Sequence, residues 1–242
     1  MTQQFTEAII LAGGKGTRLK GILDDRQKTM AVVCGKPFIE WILLSLKKQG
    51  VKKTVICTGY LSETVESYFG NKRDIGMEIK FSREEFPLGT AGALRKALNK
   101  TNSKQLLVLN GDSYFKLDLK GFLKNHIERK AKVSIILTPI KDVSRYGFVK
   151  IGEGGEVLAF MEKTDEERTG LVNAGAYIFE REIIEKIPEE KKVSLEIDIF
   201  PDLIGKGLYS RLYEGLFVDI GTPESFDKAE EILNGEFKYL SR

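Results

Sequence analysis

Short apolar runs alternate with longer amphipathic stretches along the first 140 residues. Residues 7–12 (EAIILA) form a brief β-branched and apolar run that stops at two glycines, the pattern of a strand buried on both faces. Residues 38–49 (FIEWILLSLKKQ) are long enough for a helix and close on lysines followed by Gly50, a helix stop signal. Residues 55–57 begin a second buried strand, and 62–69 read as a short helix with a serine at its start. Residues 77–81 alternate apolar and charged positions, as in a half-exposed strand. A helix over 90–99, a buried strand over 106–109, a helix over 119–130 and a buried strand over 133–140 continue the series. Such alternation predicts an α/β fold with a mostly parallel, Rossmann-like sheet flanked by helices.

Beyond residue 140 the rhythm changes. Residues 148–151 and 157–161 flank a Gly-Glu-Gly-Gly turn and read as a hairpin. A strand follows over 172–179, a helix over 194–204, and a strand over 212–220 broken by Gly215. Thr222-Pro223 opens a last helix, with proline at the first helical position. This mixed, partly antiparallel portion can extend the same sheet. No repeat, low-complexity tract or linker separates the parts, so the expectation is one domain over 1–242, with 1–140 and 141–242 as its two portions.

Composition narrows the chemistry. The 242 residues are 42% hydrophobic and 30% charged, an ordinary globular balance. Lys and Arg total 38 against 35 Asp and Glu, a net charge of +3, too small for the footprint of a nucleic-acid-binding domain. Two cysteines, Cys34 and Cys57, make neither a disulfide scaffold nor a four-ligand zinc site. The single histidine, His126, lies in a Lys/Arg-rich stretch and reads as a surface helix residue, not a catalytic base. No apolar run reaches the roughly 18 residues needed to cross a membrane, and the start lacks the pattern of a secretory signal. A cytoplasmic protein is expected.

Candidate chemistry gathers at strand ends, where open α/β sheets bind their ligands. Leu11-Ala12-Gly13-Gly14-Lys15-Gly16-Thr17-Arg18 follows the first strand directly. It is neither a P-loop, which needs Gly-Lys followed by Ser or Thr, nor a dinucleotide fingerprint, since Leu19 stands where the third glycine belongs. Its glycines still let backbone N–H groups approach phosphate oxygens, and Lys15 and Arg18 add cationic charge. Without those cations the stretch would read as a tight turn. Lys28 sits in a polar loop, where an isolated lysine is usually solvated. Pro87-Leu88-Gly89-Thr90-Ala91-Gly92 is a second small-residue loop running into a helix; it suits either a flat base and ribose or a close-packed helix start. Asp112 follows a buried strand, and Asp219 lies within apolar Phe217-Val218-Asp219-Ile220. A carboxylate in apolar surroundings is costly unless paired, and two could converge on one Mg²⁺ ion.

These residues together resemble the sugar-phosphate nucleotidyltransferases, over nearly the whole chain. Gly13-Gly14-Lys15-Gly16-Thr17-Arg18-Leu19 is similar to the family's glycine-rich signature; Lys28-Thr29-Met30 stands where the family has Lys-Pro-Met, and Gly35-Lys36-Pro37 follows. Gly111-Asp112, Tyr146-Gly147, Glu162-Lys163, Asn173-Ala174-Gly175 and Asp219-Ile220-Gly221-Thr222-Pro223 occur in the family's order. Among its subgroups, Ser194-Leu195-Glu196-Ile197-Asp198-Ile199-Phe200-Pro201 and the compact length most resemble the D-glycero-D-manno-heptose 1-phosphate guanylyltransferases. Mannose-1-phosphate guanylyltransferases and N-acetylmuramate 1-phosphate uridylyltransferases stay as alternatives.

The resemblance implies transfer of a nucleotidyl group from an NTP, GTP foremost, to a sugar 1-phosphate, with Mg²⁺. It implies nucleotide contacts from Leu11, Ala12, Gly13, Gly14, Gly16, Thr17, Arg18, Lys28, Pro87, Gly89, Thr90, Ala91 and Asp112. It implies sugar-phosphate contacts from Tyr146, Gly147, Glu162, Lys163, Asn173 and Asp219, metal ligation by Asp112 and Asp219, and catalysis by Arg18, Lys28, Asp112 and Lys163. Thr29 replaces the family's proline, which would loosen the presentation of Lys28, and Ile197 stands where relatives often have lysine. A nucleotide-sugar-dependent glycosyltransferase is disfavoured because Asp112-Ser113-Tyr114 lacks the second Asp of its DxD pair. A nucleotide-sugar-sensing module is disfavoured because Arg18, Lys28, Asp112, Lys163 and Asp219 are all present. Homo-oligomerisation is left open.

Overall fold

The computed structural model describes residues 5–14, 27–70, 72, 74–141, 143, 147–161 and 169–240. In chain order the strands and helices are β1 (Glu7–Leu11), β2 (Val32–Val33), β3 (Lys36–Pro37), α1 (Phe38–Lys48), β4 (Lys53–Thr58), α2 (Ser62–Gly70), β5 (Glu78–Arg83) and α3 (Gly89–Ala97). There follow β6 (Gln105–Asn110), β7 (Ser113–Phe115), α4 (Leu119–Glu128), β8 (Val133–Ile140), β9 (Phe148–Ile151), β10 (Val157–Met161), β11 (Gly170–Glu180) and α5 (Arg181–Glu185). The last are α6 (Phe200–Leu203), β12 (Leu208–Leu212), β13 (Phe217–Asp219) and α7 (Pro223–Leu240).

Seven strands form one sheet in the order β12-β8-β11-β6-β1-β4-β5. β5, β4, β1 and β6 run parallel, whereas β11 is antiparallel to both β6 and β8. β12 is parallel to β8. The fold is thus a mostly parallel, helix-flanked sheet with an antiparallel insertion. Successive residues of each central strand serve opposite faces, as the pleat requires. Ile10, Ile56, Leu107 and Leu109 pack under α1, α2, α4 and α7, while Ile9, Val55, Leu106 and Val108 pack under α3, α5 and Phe200.

Three local expectations change, and one strand neighbour that the pattern leaves open is decided. The strand at 133–140 does not lie beside that at 106–109. The chain leaves β8, makes the β9–β10 hairpin, and returns as β11, which pairs between them. An apolar run reports that a strand is buried but not which neighbour it takes. The predicted strand over 212–220 is two strands in different sheets: β12 ends the large sheet, and β13 pairs with β7 beside Asp112. The predicted helix over 194–204 begins as a π-helical turn over Leu195–Ile199, capped by the Ser194 hydroxyl, before the short α6.

His126 is not on the surface. Its side chain is 1% exposed, with Nδ1 2.7 Å from Ser134 Oγ and Nε2 3.2 Å from Glu180 Oε1. Burial pushes its pKa below the usual 6.5 against the opposing pull of Glu180. The imidazole locks α4 to the amino-terminal edge of the sheet, where β8 starts and the antiparallel β11 ends.

Candidate active site

At the opposite edge, the carboxyl ends of β1, β4, β5 and β6 lie side by side. Ala12 N–H donates to Cys57 O at 3.0 Å, and Gly111 N–H donates to Leu11 O at 2.9 Å, so both turns leave the sheet locked to their neighbours. Gly13 faces Glu84 at the end of β5: a methyl group on Gly13 would stand 2.6 Å from Glu84 Oε1. Glu84 Oε2 accepts from Leu88 N–H at 2.7 Å. Burial pushes the Glu84 carboxyl above the usual carboxylate range, against the opposing effects of the Leu88 N–H and Lys96.

Lys28 is not a free surface cation. Gln27 to Ala31 form a 3₁₀ turn, with Met30 N–H donating to Gln27 O at 2.8 Å and Ala31 N–H to Lys28 O at 3.1 Å. The Thr29 hydroxyl donates to the Gln27 side-chain carbonyl. A hydrogen-bonded turn that includes Thr29 therefore holds Lys28. Lys28 Nζ contacts Asp112 Oδ2 at 2.7 Å, with side chains 15% and 37% exposed.

Asp219 reaches the same place through the small β7–β13 ladder. It pairs with Ser113, and Ile220 N–H donates to Asp112 O at 3.0 Å. Asp219 Oδ1 accepts from Gly221 N–H at 2.6 Å. A methyl group on Gly221 would stand 2.7 Å from Asp219 Oδ1 and 3.7 Å from Lys28 Nζ. Lys28, Asp112 and Asp219, scattered over the sequence, thus form one charged cluster. Two carboxylates beside a glycine turn suit Mg²⁺, which takes one or two carboxylates and completes its shell with substrate oxygens and water. Among the described residues no group of three or more His, Cys, Asp or Glu forms a full protein cage.

The second loop is welded to the carboxyl-terminal portion. Val193 N–H donates to Leu88 O at 2.9 Å, and Ala91 N–H to Val193 O at 3.0 Å. Gly89 has φ +71, and a Cβ there would meet Val193 O at 2.5 Å, so the close approach needs glycine. The Thr90 hydroxyl accepts from Leu195 N–H at 2.8 Å and donates to Glu196 Oε2 at 3.0 Å, so it is committed to the protein.

On the other flank, Asn173 lies in β11. Its Nδ2 donates to the Tyr177 hydroxyl at 2.8 Å, and its Oδ1 accepts from Gly175 N–H at 2.9 Å. Among the described residues, one amide hydrogen and one oxygen lone pair of Asn173 are left. Gly147 lies against Met161 at the end of β10, 2.9 Å separating the Met161 carbonyl oxygen from a Cβ built on the glycine. Gly16, Thr17, Arg18, Tyr146, Glu162 and Lys163 lie outside the described residues.

Four residues at this edge escape the sequence reading: Glu84, Asn110, Tyr177 and Glu196. Glu84 stands three positions before Pro87, one acidic residue among several. Tyr177 is an aromatic residue in an apolar run, which reads as core.

The family profile of nucleotidyl transferases matches residues 7–235. The chain belongs to the nucleotidyl transferase family. This nucleotidyltransferase is 39% identical over 228 residues to the D-glycero-alpha-D-manno-heptose 1-phosphate guanylyltransferase of Aneurinibacillus thermoaerophilus, covering 94% of this chain and 98% of that one. It is 36% identical over 220 residues to the Campylobacter jejuni protein of the same name, with 91% and 96% covered. The crystal structure of HddC from Yersinia pseudotuberculosis, also solved in complex with GMP-PN, superposes with a TM-score of 0.84 at 33% identity, covering 94% of this chain and 99% of that one. Nucleotidyl transferases of this kind work with a divalent metal ion. No helix among the described residues is long and apolar enough to cross a membrane.

Proposed function

We propose that this nucleotidyltransferase joins GTP and D-glycero-α-D-manno-heptose 1-phosphate into a nucleoside-diphosphate sugar and pyrophosphate, in the cytoplasm and with Mg²⁺. The observation that carries the catalytic reading is the convergence of Lys28, Asp112 and Asp219 beside the glycine turn after β1. A phosphate oxygen of the sugar 1-phosphate attacks the α-phosphorus of the nucleotide in line; the bond from that phosphorus to the bridging oxygen breaks, and pyrophosphate leaves. The nucleophile is already an anion at neutral pH, so no general base is needed. Catalysis then consists of holding two anions in line and neutralising their charge.

Leu11, Ala12, Gly13, Gly14, Gly16 and Thr17 follow the nucleotide with backbone groups, and Arg18 neutralises the leaving phosphates. Lys28 swings from Asp112 to the α-phosphate, where charge develops. Asp112 and Asp219 are the ligands for Mg²⁺, which when bound neutralises the reacting phosphates. Pro87, Gly89, Thr90 and Ala91 line the base and ribose. Glu84 supports guanine: a carboxylate offers two acceptors to the paired N1–H and N2–H donors of guanine, whereas uracil and thymine offer a single donor between two acceptors. Lys163 holds the sugar phosphate, while Glu162, Asn173, Tyr146 and Gly147 meet the sugar. Residues 1–140 serve the nucleotide and 141–242 the sugar phosphate.

Heptose stands ahead of mannose because the two heptose guanylyltransferases are 39% and 36% identical to this chain, against 34% for the Mycobacterium tuberculosis mannose-1-phosphate guanylyltransferase. The test is pyrophosphate release from GTP, UTP, CTP, ATP and dTTP, each paired with heptose, mannose, glucose and N-acetylmuramate 1-phosphates. Turnover confined to GTP and the heptose phosphate is expected. Turnover with another pair corrects the substrate; nucleotide binding without any turnover overturns the enzyme reading. Lys163→Ala is expected to raise the KM for the sugar phosphate far more than that for GTP, and equal rises remove it from the sugar side.

A further inference from the structure

The floor between β6 and β11 holds a polar network of which the reaction scheme uses only Asn173. Tyr177 is 0% exposed, and its ring packs against Phe179 and Phe200 with centroids 6.1 and 5.3 Å away. Phenylalanine would fill that space equally well. The hydroxyl, however, accepts the Asn173 amide at 2.8 Å and is hydrogen-bonded to a second amide, Asn110, at the end of β6. Burial pushes the Tyr177 pKa upward, so the group is a neutral phenol.

The backbone is built to bring these groups together. Between Asn173 and Tyr177, β11 advances four residues while its partner β8 moves only from Leu137 to Ile135. Residues i and i+4 of a regular strand share a face but stand about 13 Å apart. Two extra residues condense that span to the length of about two residues, about 7 Å, which the two side chains bridge. Gly175 lies within this bulge at φ +78, and a Cβ there would stand 2.8–3.0 Å from the Asn110 side chain. Its N–H holds the other end of the Asn173 amide. Among the described residues, Asn110 Oδ1 is buried with no partner. Buried polar atoms are nearly always paired, so this acceptor suits a ligand hydroxyl.

We propose that Tyr177 is a positioning residue for the sugar. Its hydroxyl orients the Asn173 and Asn110 amides so that their free hydrogen-bonding positions face the incoming sugar 1-phosphate. The proposal rests on the reading of Asn173 as a sugar contact.

The test is a double-mutant cycle of Tyr177→Phe and Asn173→Ala, with kcat and both KM values read by pyrophosphate release and Tm by thermal denaturation. Tyr177→Phe is expected to raise the sugar-phosphate KM about tenfold, the scale of one net hydrogen bond, with the GTP KM unchanged. Added to Asn173→Ala, it is expected to raise that KM by clearly less than its own tenfold, because only the part that acts through Asn110 remains. A full additional rise in the double variant overturns the positioning role while leaving Asn173 as a sugar contact. An unchanged sugar-phosphate KM in Asn173→Ala overturns the Asn173 reading and this proposal with it. Equal rises in both KM values, with a lowered Tm, mean that the hydroxyl is structural only. Asn110→Ala, which leaves the tyrosine in place, is expected to raise the same KM; no change there overturns the proposal even if Tyr177→Phe fails to fold.

Discussion

The two edges of the central sheet use polar residues in opposite ways. At the amino-terminal edge, the Glu7 and Glu180 carboxylates are met by donors. Glu7 accepts from Lys53 at 2.8 Å, from the Ser103 hydroxyl at 2.7 Å and from the N–H groups of Asn102 and Ser103 at 2.9 Å. Burial alone would raise the Glu7 carboxyl; those four donors more than offset it and bring its pKa to about 2. Glu180 accepts from Gln105 at 2.7 Å and faces His126, and Arg181 donates to the carbonyls of Leu98, Thr101 and Ser103. At the carboxyl-terminal edge, Glu84 is pushed the other way, and among the described residues Asn110 keeps a buried unpaired oxygen and Lys28 and Asp112 form an ion pair with each other alone. A network whose bonds are all internal stabilises the fold and has nothing left for a ligand. One left incomplete costs stability and offers sites to a substrate.

That contrast can be broken by substitution. The largest effect is expected from Asp112→Asn: kcat falls at least about a hundredfold, as when a group facing developing charge is lost, with Tm nearly unchanged. Wild-type turnover and metal dependence in that variant, measured by pyrophosphate release, would remove Asp112 from the chemistry. Gly175→Ala forces a Cβ onto a φ of +78 and toward Asn110. A loss of about 1–2 kcal/mol is expected from the backbone alone, and a raised sugar-phosphate KM should accompany the lower Tm. At the other edge, Glu7→Gln should cost about 1–3 kcal/mol by leaving Lys53 unpaired, with kcat unchanged; a kinetic defect would blur the division between edges.

Acid titration sharpens the comparison further. The folded Glu7 carboxyl is depressed from 4.5 to about 2, so the unfolded chain takes up the proton first as pH falls. The stability it contributes is present above pH 4.5 and lost between there and about 2, and Glu7→Gln should flatten that limb of the Tm profile. The smallest effect is at His126. Its folded pKa lies below 6.5, so its contribution begins to fade as pH drops below that value. His126→Asn should abolish this decline, and persistence of the decline would assign it to another group.

Much of this was legible along the chain, and the misses share a cause. Strand and helix types follow from apolar periodicity, which is local; hence β1, β4, β6 and α1 lie where the pattern puts them. The position of β11 between β6 and β8 depends on how a distant hairpin returns the chain, which no periodicity records. Likewise Asp112 and Asp219 stand out by residue type beside a glycine and apolar runs, whereas Lys28 comes only from the resemblance. Tyr177, Asn110 and Glu84 do not, because their significance lies in what they touch across strands.

The order of elements, the α/β class, the glycine turn and the charged residues at strand ends belong to the sequence alone, because backbone propensity, burial pattern and side-chain charge are properties of short stretches. The insertion of β11, the burial of His126, the meeting of Asp112 with Asp219 through β7 and β13, and the bulge that turns Asn173 onto Tyr177 were decided only by tertiary structure. Each depends on hydrogen bonds or packing between segments tens of residues apart, or on a strand register set by those contacts. Such contacts exist only once the whole sheet has closed.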